Sequence, residues 1–268
     1  MTIMAPPNSE VSYSSYLKVD ALLSLQEPLS QGPEHDELLF IVIHQTYELW
    51  FKQLIHELEK TQEVLRNGEG HRALALLGRS RTILKTLVSQ VDILETMTPL
   101  QFNSFRDRLE SSSGFQSAQF REVEAIFGRR DSDIVRHLSA DGTSQSRVLA
   151  AMSRDSLWDD VLGYLSRRGY HLPNSVLNRK RTEAYEPNAE VQEVLIDVYR
   201  NNPAEALLLE ALVDVDEGVQ EWRYRHVKMV ERTIGHKMGT GGSSGAGYLI
   251  STLFRPVFAD LWEIRSRF

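Results

Sequence analysis

The eight histidines are the side chains of this chain best suited to metal or acid–base chemistry, because the sequence contains no cysteine. Without thiols, disulfides, Cys-ligated zinc sites, iron–sulfur clusters and thiolate-ligated haem are excluded. Neither HExxH nor ExxH occurs, so the zincin and di-iron carboxylate signatures are missing, and no GxSxG elbow that follows a predicted strand indicates a serine hydrolase. Two isolated histidines with informative neighbours remain, His44 and His226.

His44 follows six apolar residues, Leu38 to Ile43, in a segment predicted to be a helix that is apolar on every side and therefore buried. Phe40 lies one helical turn before it and Glu48 one turn after it. A neutral imidazole in such a place could present one ring nitrogen to a ligand in a dry pocket. A core histidine that is satisfied by a neighbouring partner remains the alternative.

His226 lies late in a second long predicted helix. The apolar stripe that leads to it consists of Leu212, Val215, Val219 and Trp222. A single imidazole from a helix suits the proximal position of a haem, because the porphyrin supplies the other four donors. Arg223 and Arg225 point to other sides of this helix and could reach acidic groups such as haem propionates. A structural histidine beside surface arginines is the alternative.

Arg106 follows Phe102 and Phe105 on a short predicted helix, so its side chain has aromatic neighbours. Its guanidinium could hold a substrate carboxylate through two parallel hydrogen bonds. A surface ion pair with Asp107 or Glu110 is the alternative for this side chain.

The segment 239–247, GTGGSSGAG, is rich in glycine but is neither GxGxxG nor a P-loop. Its backbone N–H groups could approach an anion such as a carboxylate closely, and a flexible linker is the equally open alternative. His236, just before it, is predicted to be exposed and without a role.

Helical patterns dominate the chain, and no stretch alternates in the manner of a β-strand. Helices are predicted at 36–66, 71–97, 99–109, 117–127, 131–138, 144–152, 156–168, 189–200 and 204–235. Thr98 is predicted to be the N-cap of the helix at 99–109. Residues 169–188 are predicted to be an irregular connection, and a final helix is predicted from the glycine-rich break to the C-terminus. The prediction is an all-α, single-domain helical bundle over 1–268, with 36–66 and 204–235 as its two long central helices.

Composition limits the partners. The 268 residues are 41% hydrophobic and 25% charged, which is typical of a soluble globular protein. A net charge of −7 gives no reason to expect nucleic acid or an anionic membrane as a partner. The N-terminus lacks the pattern of a signal peptide, and the run 38–43 is too short to cross a bilayer, so a cytoplasmic location is predicted.

Taken together, six segments resemble the tryptophan 2,3-dioxygenase family, in the family's order and over nearly the whole chain. They are YSSYL at 13–17 with DALL at 20–23, HDELLFIVIHQTYELW at 35–50, FNSFRD at 102–107, SSGFQS at 112–117, WRYRH at 222–226 and GTGGSSG at 239–245. Each segment alone is a weak signal, whereas six in register are specific.

The resemblance implies an all-helical enzyme that contains haem b and assembles as a homotetramer. Its reaction opens the indole 2,3-bond of L-tryptophan with O₂ and gives N-formyl-L-kynurenine. His226 would be the axial iron ligand, and Trp222, Ser113 and Gly241 would contact the haem. His44 would be the catalytic residue, accepting a hydrogen bond from the indole N–H.

The resemblance also assigns the substrate pocket. Phe40 and Phe102 would wall the indole, Arg106 would hold the substrate carboxylate, and Thr240 would contact its ammonium and carboxylate groups. Tyr13, Tyr16 and Leu17 belong to an N-terminal arm, residues 1–30, which would enter the pocket of a neighbouring subunit.

One departure keeps a second function open. Leu109-Glu110-Ser111-Ser112 stands where family members often have a proline, so the loop near the haem is expected to differ. The alternative is a relative from secondary metabolism that adds one oxygen atom to a substituted tryptophan without opening the ring. A haem-binding sensor without turnover is the non-enzymatic alternative.

Overall fold

The computed structural model describes residues 10–32, 34–110, 112–131, 135, 138, 142–235, 237, 249–250 and 252–268. The regular elements in these ranges are helices, which confirms the predicted all-α class. The first five α-helices are α1 (Tyr13–Leu17), α2 (Val19–Leu23), α3 (His35–Arg66), α4 (Gly70–Leu94) and α5 (Pro99–Phe105).

The remaining helices follow in chain order. Two 3₁₀ turns, Arg106–Leu109 and Gly114–Gln116, precede α6 (Ala118–Ile126), α7 (Thr143–Ser153), α8 (Leu157–Arg167), α9 (Asn174–Leu177), α10 (Ala189–Asn201), α11 (Pro203–Ile234) and α12 (Ala259–Glu263), and a last 3₁₀ turn covers Ile264–Arg267. None of the helices in the described ranges is long and apolar enough to cross a lipid bilayer.

The two longest helices, α3 and α11, have 32 residues each and form the centre of the bundle, as predicted. Both pack along α4. α4 and α11 pack closely at Gly218, where an added Cβ atom would lie only 3.3 Å from the side chain of Leu84. Leu58, Leu77 and Leu212 are fully buried in the shared core. Removing this much apolar surface from water is what holds the long helices together.

Side-chain caps set several helix ends. Thr98 caps α5 as predicted: its hydroxyl accepts from the backbone N–H of Gln101, and the Gln101 side chain accepts from the N–H of Thr98 at 2.8 Å. Ser156 and Asp159 form the same reciprocal arrangement at the start of α8. Such pairs satisfy N–H groups that have no partner within the helix.

The predicted helix 99–109 is wrong in its second half. The α-helix ends at Phe105 and continues as the tighter 3₁₀ turn that carries Arg106. Glu110 then adopts a positive φ of 47°, which no helix accommodates, so the chain leaves the helical path there. The helix predicted at 71–97 ends earlier than expected, at Leu94.

The predicted single helix after the glycine-rich segment is also wrong within the described residues. Pro256 has no N–H to donate, and Phe254 before it has a φ of 57°. The N–H groups of Val257 and Phe258 bind the buried carboxylate of Asp216 on α11 at 2.8 and 2.9 Å. The chain therefore packs onto α11 before α12 begins at Ala259.

The remaining predicted segments either agree with the structure or fall outside the described residues. The connection 169–188 is irregular apart from the single turn of α9, as predicted. The helix predicted at 131–138 falls mostly outside the described residues.

The N-terminal arm is held by α3 although α1 and α2 contain no buried residue. Buried Glu37 accepts the N–H groups of Leu29 and Ser30 at 2.7 and 3.1 Å. Gln45 donates to the carbonyl of Leu25 at 2.8 Å. The arm therefore leaves the bundle from the helix that also carries His44.

Candidate functional site

A cavity of about 240 Å³ opens between the two long helices. One face of α3 forms its first wall, and the residues on that face are Phe40, His44, Tyr47, Glu48 and Phe51. Their spacing is that of a single helix face, so one element positions all of them. α11 lines the cavity with Trp222, Arg223, His226 and Val230. The other lining residues include Phe102, Arg106 and Ser113 from the segment that begins with α5, and Phe120, Arg121 and Glu124 from α6.

The helix around His44 is not buried on every side, which corrects the prediction. Ile43 is 5% exposed, whereas Leu38 and Val42 are 47% and 41% exposed on the other face. The apolar run therefore covers the cavity side and leaves an apolar face of α3 uncovered in the isolated chain.

His44 has a defined proton position. Its Nδ1 lies 2.7 Å from the carbonyl oxygen of Phe40. A carbonyl can only accept, so Nδ1 donates and Nε2 keeps its lone pair. Burial lowers the pKa of His44, although the Phe40 carbonyl and the Glu48 charge oppose this. The side chain is therefore a neutral imidazole with Nε2 as an acceptor.

His226 is held flat against Trp222, with ring centroids 5.1 Å apart and planes within 5°. Burial, and to a lesser extent His44 and Arg121, lower the pKa of His226 to about 4. The imidazole is therefore neutral near pH 7, the form that ligates a metal. Among the described residues, no group of three or more His, Asp or Glu side chains is placed to hold a metal ion. One neutral imidazole beside a cavity thus fits a haem, whose porphyrin supplies the remaining donors.

Aromatic rings surround the end of the cavity next to His44. Phe40 lies 4.1 Å from the His44 ring, 5.8 Å from Phe102 and 5.6 Å from Phe105, measured between centroids. Arg106 lines the cavity immediately beyond these rings. The arrangement suits a flat aromatic ligand that carries an anionic group at one end.

A second aromatic cluster lies at the other end, next to His226. Trp222 packs against Phe120 at 4.7 Å and Phe51 at 6.2 Å. Ser113 also lines the cavity. Two of the residues predicted to contact haem, Trp222 and Ser113, are thus brought to the same cavity as His226.

A buried ionic cluster forms part of the wall. Glu124 accepts from Arg121 at 2.6 Å, from Arg129 at 2.8 Å and from Arg223 at 3.3 Å. Burial alone would raise the pKa of Glu124, but the three guanidinium groups together hold it below its usual value. Breaking such a buried network is costly, so it fixes α6 against α11 at the cavity.

The two arginines beside His226 have different surroundings. Arg223 lines the cavity, as the prediction requires. Arg225 does not line it and pairs instead with Asp92 at 2.5 Å and with Glu95 at 3.1 Å. Arg225 therefore points to another side of the helix and reaches acidic groups, as predicted, but these groups are Asp92 and Glu95 of the chain itself.

Some predicted site residues are not brought to the cavity in the isolated chain. Tyr13 and Tyr16 are 78% and 76% exposed on α1, and Leu17 is exposed beside them. None of the three lines the cavity. Thr240 and Gly241, with His236, lie outside the described residues.

Sequence reasoning missed several cavity residues, namely Tyr47, Phe51, Phe120, Arg121 and Glu124. The first two continue the face that begins at Phe40 and His44, so extending that periodicity along α3 would have found them. Arg121 and Glu124 are spaced i, i+3, which is equally typical of a solvent-exposed pair, and no local pattern indicates that this pair is buried.

Comparison with known proteins agrees with this geometry. The family model described as tryptophan 2,3-dioxygenase matches residues 6–145 and 192–268. A tryptophan 2,3-dioxygenase of Anaeromyxobacter dehalogenans is 56% identical, with 99% of each chain covered. One from Herpetosiphon aurantiacus is 56% identical, with 96% of this chain and 98% of the relative covered. One from Caulobacter vibrioides is 41% identical, also with 96% of this chain and 98% of the relative covered. The chain belongs to the tryptophan 2,3-dioxygenase family.

Proposed function

We propose that this protein is a haem-dependent dioxygenase that opens the indole 2,3-bond of L-tryptophan with O₂ to give N-formyl-L-kynurenine. The observation that carries the proposal is the pair of neutral histidines, His44 on α3 and His226 on α11, that line one cavity. Full-length similarity to relatives named tryptophan 2,3-dioxygenase supports the same conclusion.

The cofactor is proposed to be haem b, and His226 is the residue that would ligate its iron. Stacking on Trp222 fixes the ring of His226, and its low pKa keeps the ligating lone pair available at neutral pH. Trp222, Ser113 and Gly241 are proposed as further haem contacts. When bound, haem would supply the iron chemistry that allows O₂ to react with an aromatic ring.

The substrate is proposed to lie on the α3 side of the cavity. The indole ring would stand between Phe40 and Phe102, with its N–H directed at Nε2 of His44. Arg106 would hold the carboxylate, and Thr240 would contact the carboxylate and ammonium groups. Fixing both ends of the molecule places the indole 2,3-bond in one orientation, which is the main contribution a rigid pocket makes to rate.

His44 is proposed to hold the indole rather than to act as a strong base. Its Nδ1 proton is committed to the Phe40 carbonyl, and Nε2 can accept one hydrogen bond. The reaction adds both atoms of O₂ to the substrate, so substrate and product contain the same hydrogens. No net proton has to be removed by His44.

The assembly is proposed to be a homotetramer of single-domain subunits, each covering residues 1–268. Residues 1–30 are proposed to act as an arm, of which Tyr13, Tyr16 and Leu17 would enter the pocket of a neighbouring subunit. Their exposure on a helix without buried residues supports this assignment. The uncovered apolar face of α3 at Leu38 and Val42 supports it as well.

The proposed reaction is tested by mass spectrometry of the product formed from L-tryptophan under ¹⁸O₂ by haem-loaded, reduced protein. We expect a ring-opened product with two labelled oxygen atoms. A product with an intact indole and one labelled atom would contradict the proposal and indicate monooxygenation instead. Haem-loaded protein that binds L-tryptophan without turnover would indicate a sensor.

A further inference from the structure

Glu48 lies one helical turn after His44 on the cavity face of α3, and the proposed reaction leaves it without a role. Residues four apart on a helix are neighbours, so the carboxylate and the imidazole share one part of the wall. Its side chain is half-buried, which weakens the screening of its charge by water.

Gln119 on α6 holds this carboxylate in place. Its Nε2 donates to Oε2 of Glu48 and to the backbone carbonyl of Glu48, both at 2.8 Å. An amide nitrogen has two hydrogens, so one side chain uses both of them on a single residue. The position of the Glu48 carboxylate is therefore fixed from a second helix.

The charge of Glu48 is not neutralised by an ion pair with any residue that the structure describes. The negative charge of Glu48 raises the pKa of His44, whereas burial lowers that pKa. A negative charge beside an imidazole increases the electron density on its free nitrogen, and here that nitrogen is Nε2. The other charged groups that line the cavity are Arg106, Arg121, Glu124, Arg129 and Arg223.

We propose that Glu48, held by Gln119, is a positioning residue that strengthens Nε2 of His44 as the acceptor of the substrate's indole N–H. This inference rests on the proposed function, since it needs the indole to bind at His44. Glu48 touches neither substrate nor haem in this account and acts only through the imidazole.

The test compares two ligands in the ferric, haem-loaded protein by the change in haem absorption on binding. L-Tryptophan has an indole N–H, and 1-methyl-L-tryptophan has none. In Glu48→Gln we expect affinity for L-tryptophan to fall about two- to tenfold, the range of one hydrogen bond, while affinity for the methyl analogue is unchanged. A general change in the pocket would alter both dissociation constants by the same factor, so it would leave their ratio unchanged.

Three further variants complete the design. Glu63→Gln removes the same charge from an exposed position on α3 and should leave the ratio unchanged. Gln119→Ala frees the carboxylate and should change the ratio in the same direction as Glu48→Gln does, so it replaces Glu48→Gln as the test if that variant does not fold. In the His44→Ala background, Glu48→Gln should have no further effect on the ratio.

The outcomes separate the two proposals. An unchanged ratio in both Glu48→Gln and Gln119→Ala would overturn the inference and leave the proposed function intact. An equal loss of affinity for both ligands would overturn it too, because a purely structural role predicts that result. Wild-type protein that binds haem but not L-tryptophan would overturn the proposed function and the inference with it.

Discussion

The chemistry available at the site is decided by single atoms. Phe40 fixes the proton of His44 on Nδ1, and burial keeps the ring neutral, so Nε2 is an acceptor. Burial also keeps His226 neutral, and stacking on Trp222 orients its ring. Both histidines therefore begin in the state that their proposed roles require.

Replacing Arg106 with Gln should weaken binding of L-tryptophan by about ten- to a hundredfold, because a hydrogen-bonded ion pair to the substrate carboxylate is lost. Affinity for tryptamine, which lacks the carboxylate, should not change. Both are measured by titration of the haem spectrum at equal haem content. An equal loss for tryptamine would show that Arg106 supports the pocket rather than the carboxylate.

Stability of the haem-free protein should fall in acid because of His226. Its pKa is about 4 in the folded chain and 6.5 as an unperturbed side chain. The unfolded state binds the proton first, so this stabilisation is complete above pH 6.5 and is lost as pH falls toward 4. The shift corresponds to about 3 kcal/mol. Urea unfolding of wild type and His226→Gln between pH 7.5 and pH 4.5 checks this, and parallel pH profiles would contradict it.

At the scale of elements, three helical segments bring the site together. The face of α3 supplies one wall of the cavity, α11 supplies His226, and the segment from α5 through its 3₁₀ turn adds Phe102 and Arg106 to the lining. α5 packs against both α3 and α11, so the segment that carries Phe102 and Arg106 is tied to both histidine-bearing helices.

Asp216 fixes the segment after the glycine-rich stretch onto α11. Its carboxylate is fully buried and accepts from the N–H groups of Val257 and Phe258 and from Trp262 Nε1. Asp216→Ala should lower the free energy of unfolding by about 3–5 kcal/mol, because buried donors lose their charged acceptor. Chemical unfolding measures this, with exposed Glu217→Gln as the matched control, and equal stability of the two variants would contradict it.

Local signals predicted much of the fold and part of the site. Helix 36–66 is free of Pro and Gly, and Thr98 with Gln101 is a cap readable within four residues, so both predictions are confirmed. The C-terminal segment could not be predicted, since Asp216 binds it from 41 residues away in the chain. The burial of Glu124 likewise depends on Arg223, which is 99 residues distant.

At the scale of the whole molecule, the isolated chain leaves the arm outside its own pocket. Tyr13 and Tyr16 are exposed, whereas Glu37 anchors the same arm to α3 through the N–H groups of Leu29 and Ser30. An arm held at its base and apolar at its tip is suited to a neighbouring copy, as the proposed tetramer requires.

Two defective subunits should therefore complement each other. One variant carries Arg106→Gln, and the other carries Tyr13→Ala and Tyr16→Ala. Coexpressed, they should regain about a quarter of the wild-type activity, because half of the pockets keep Arg106 and half of those receive an intact arm. Activity of the copurified mixture is compared with that of each variant alone. Mere addition of the two low activities would contradict an arm that enters a neighbour's pocket.

The central claim is that the cavity between α3 and α11 holds haem through His226. The most direct test is the haem content and absorption spectrum of His226→Gly, measured with and without added imidazole. We predict that the variant loses haem and that imidazole, occupying the space of the missing ring, restores haem binding with a spectrum close to wild type. Full haem content with an unchanged spectrum in the absence of imidazole would contradict the account.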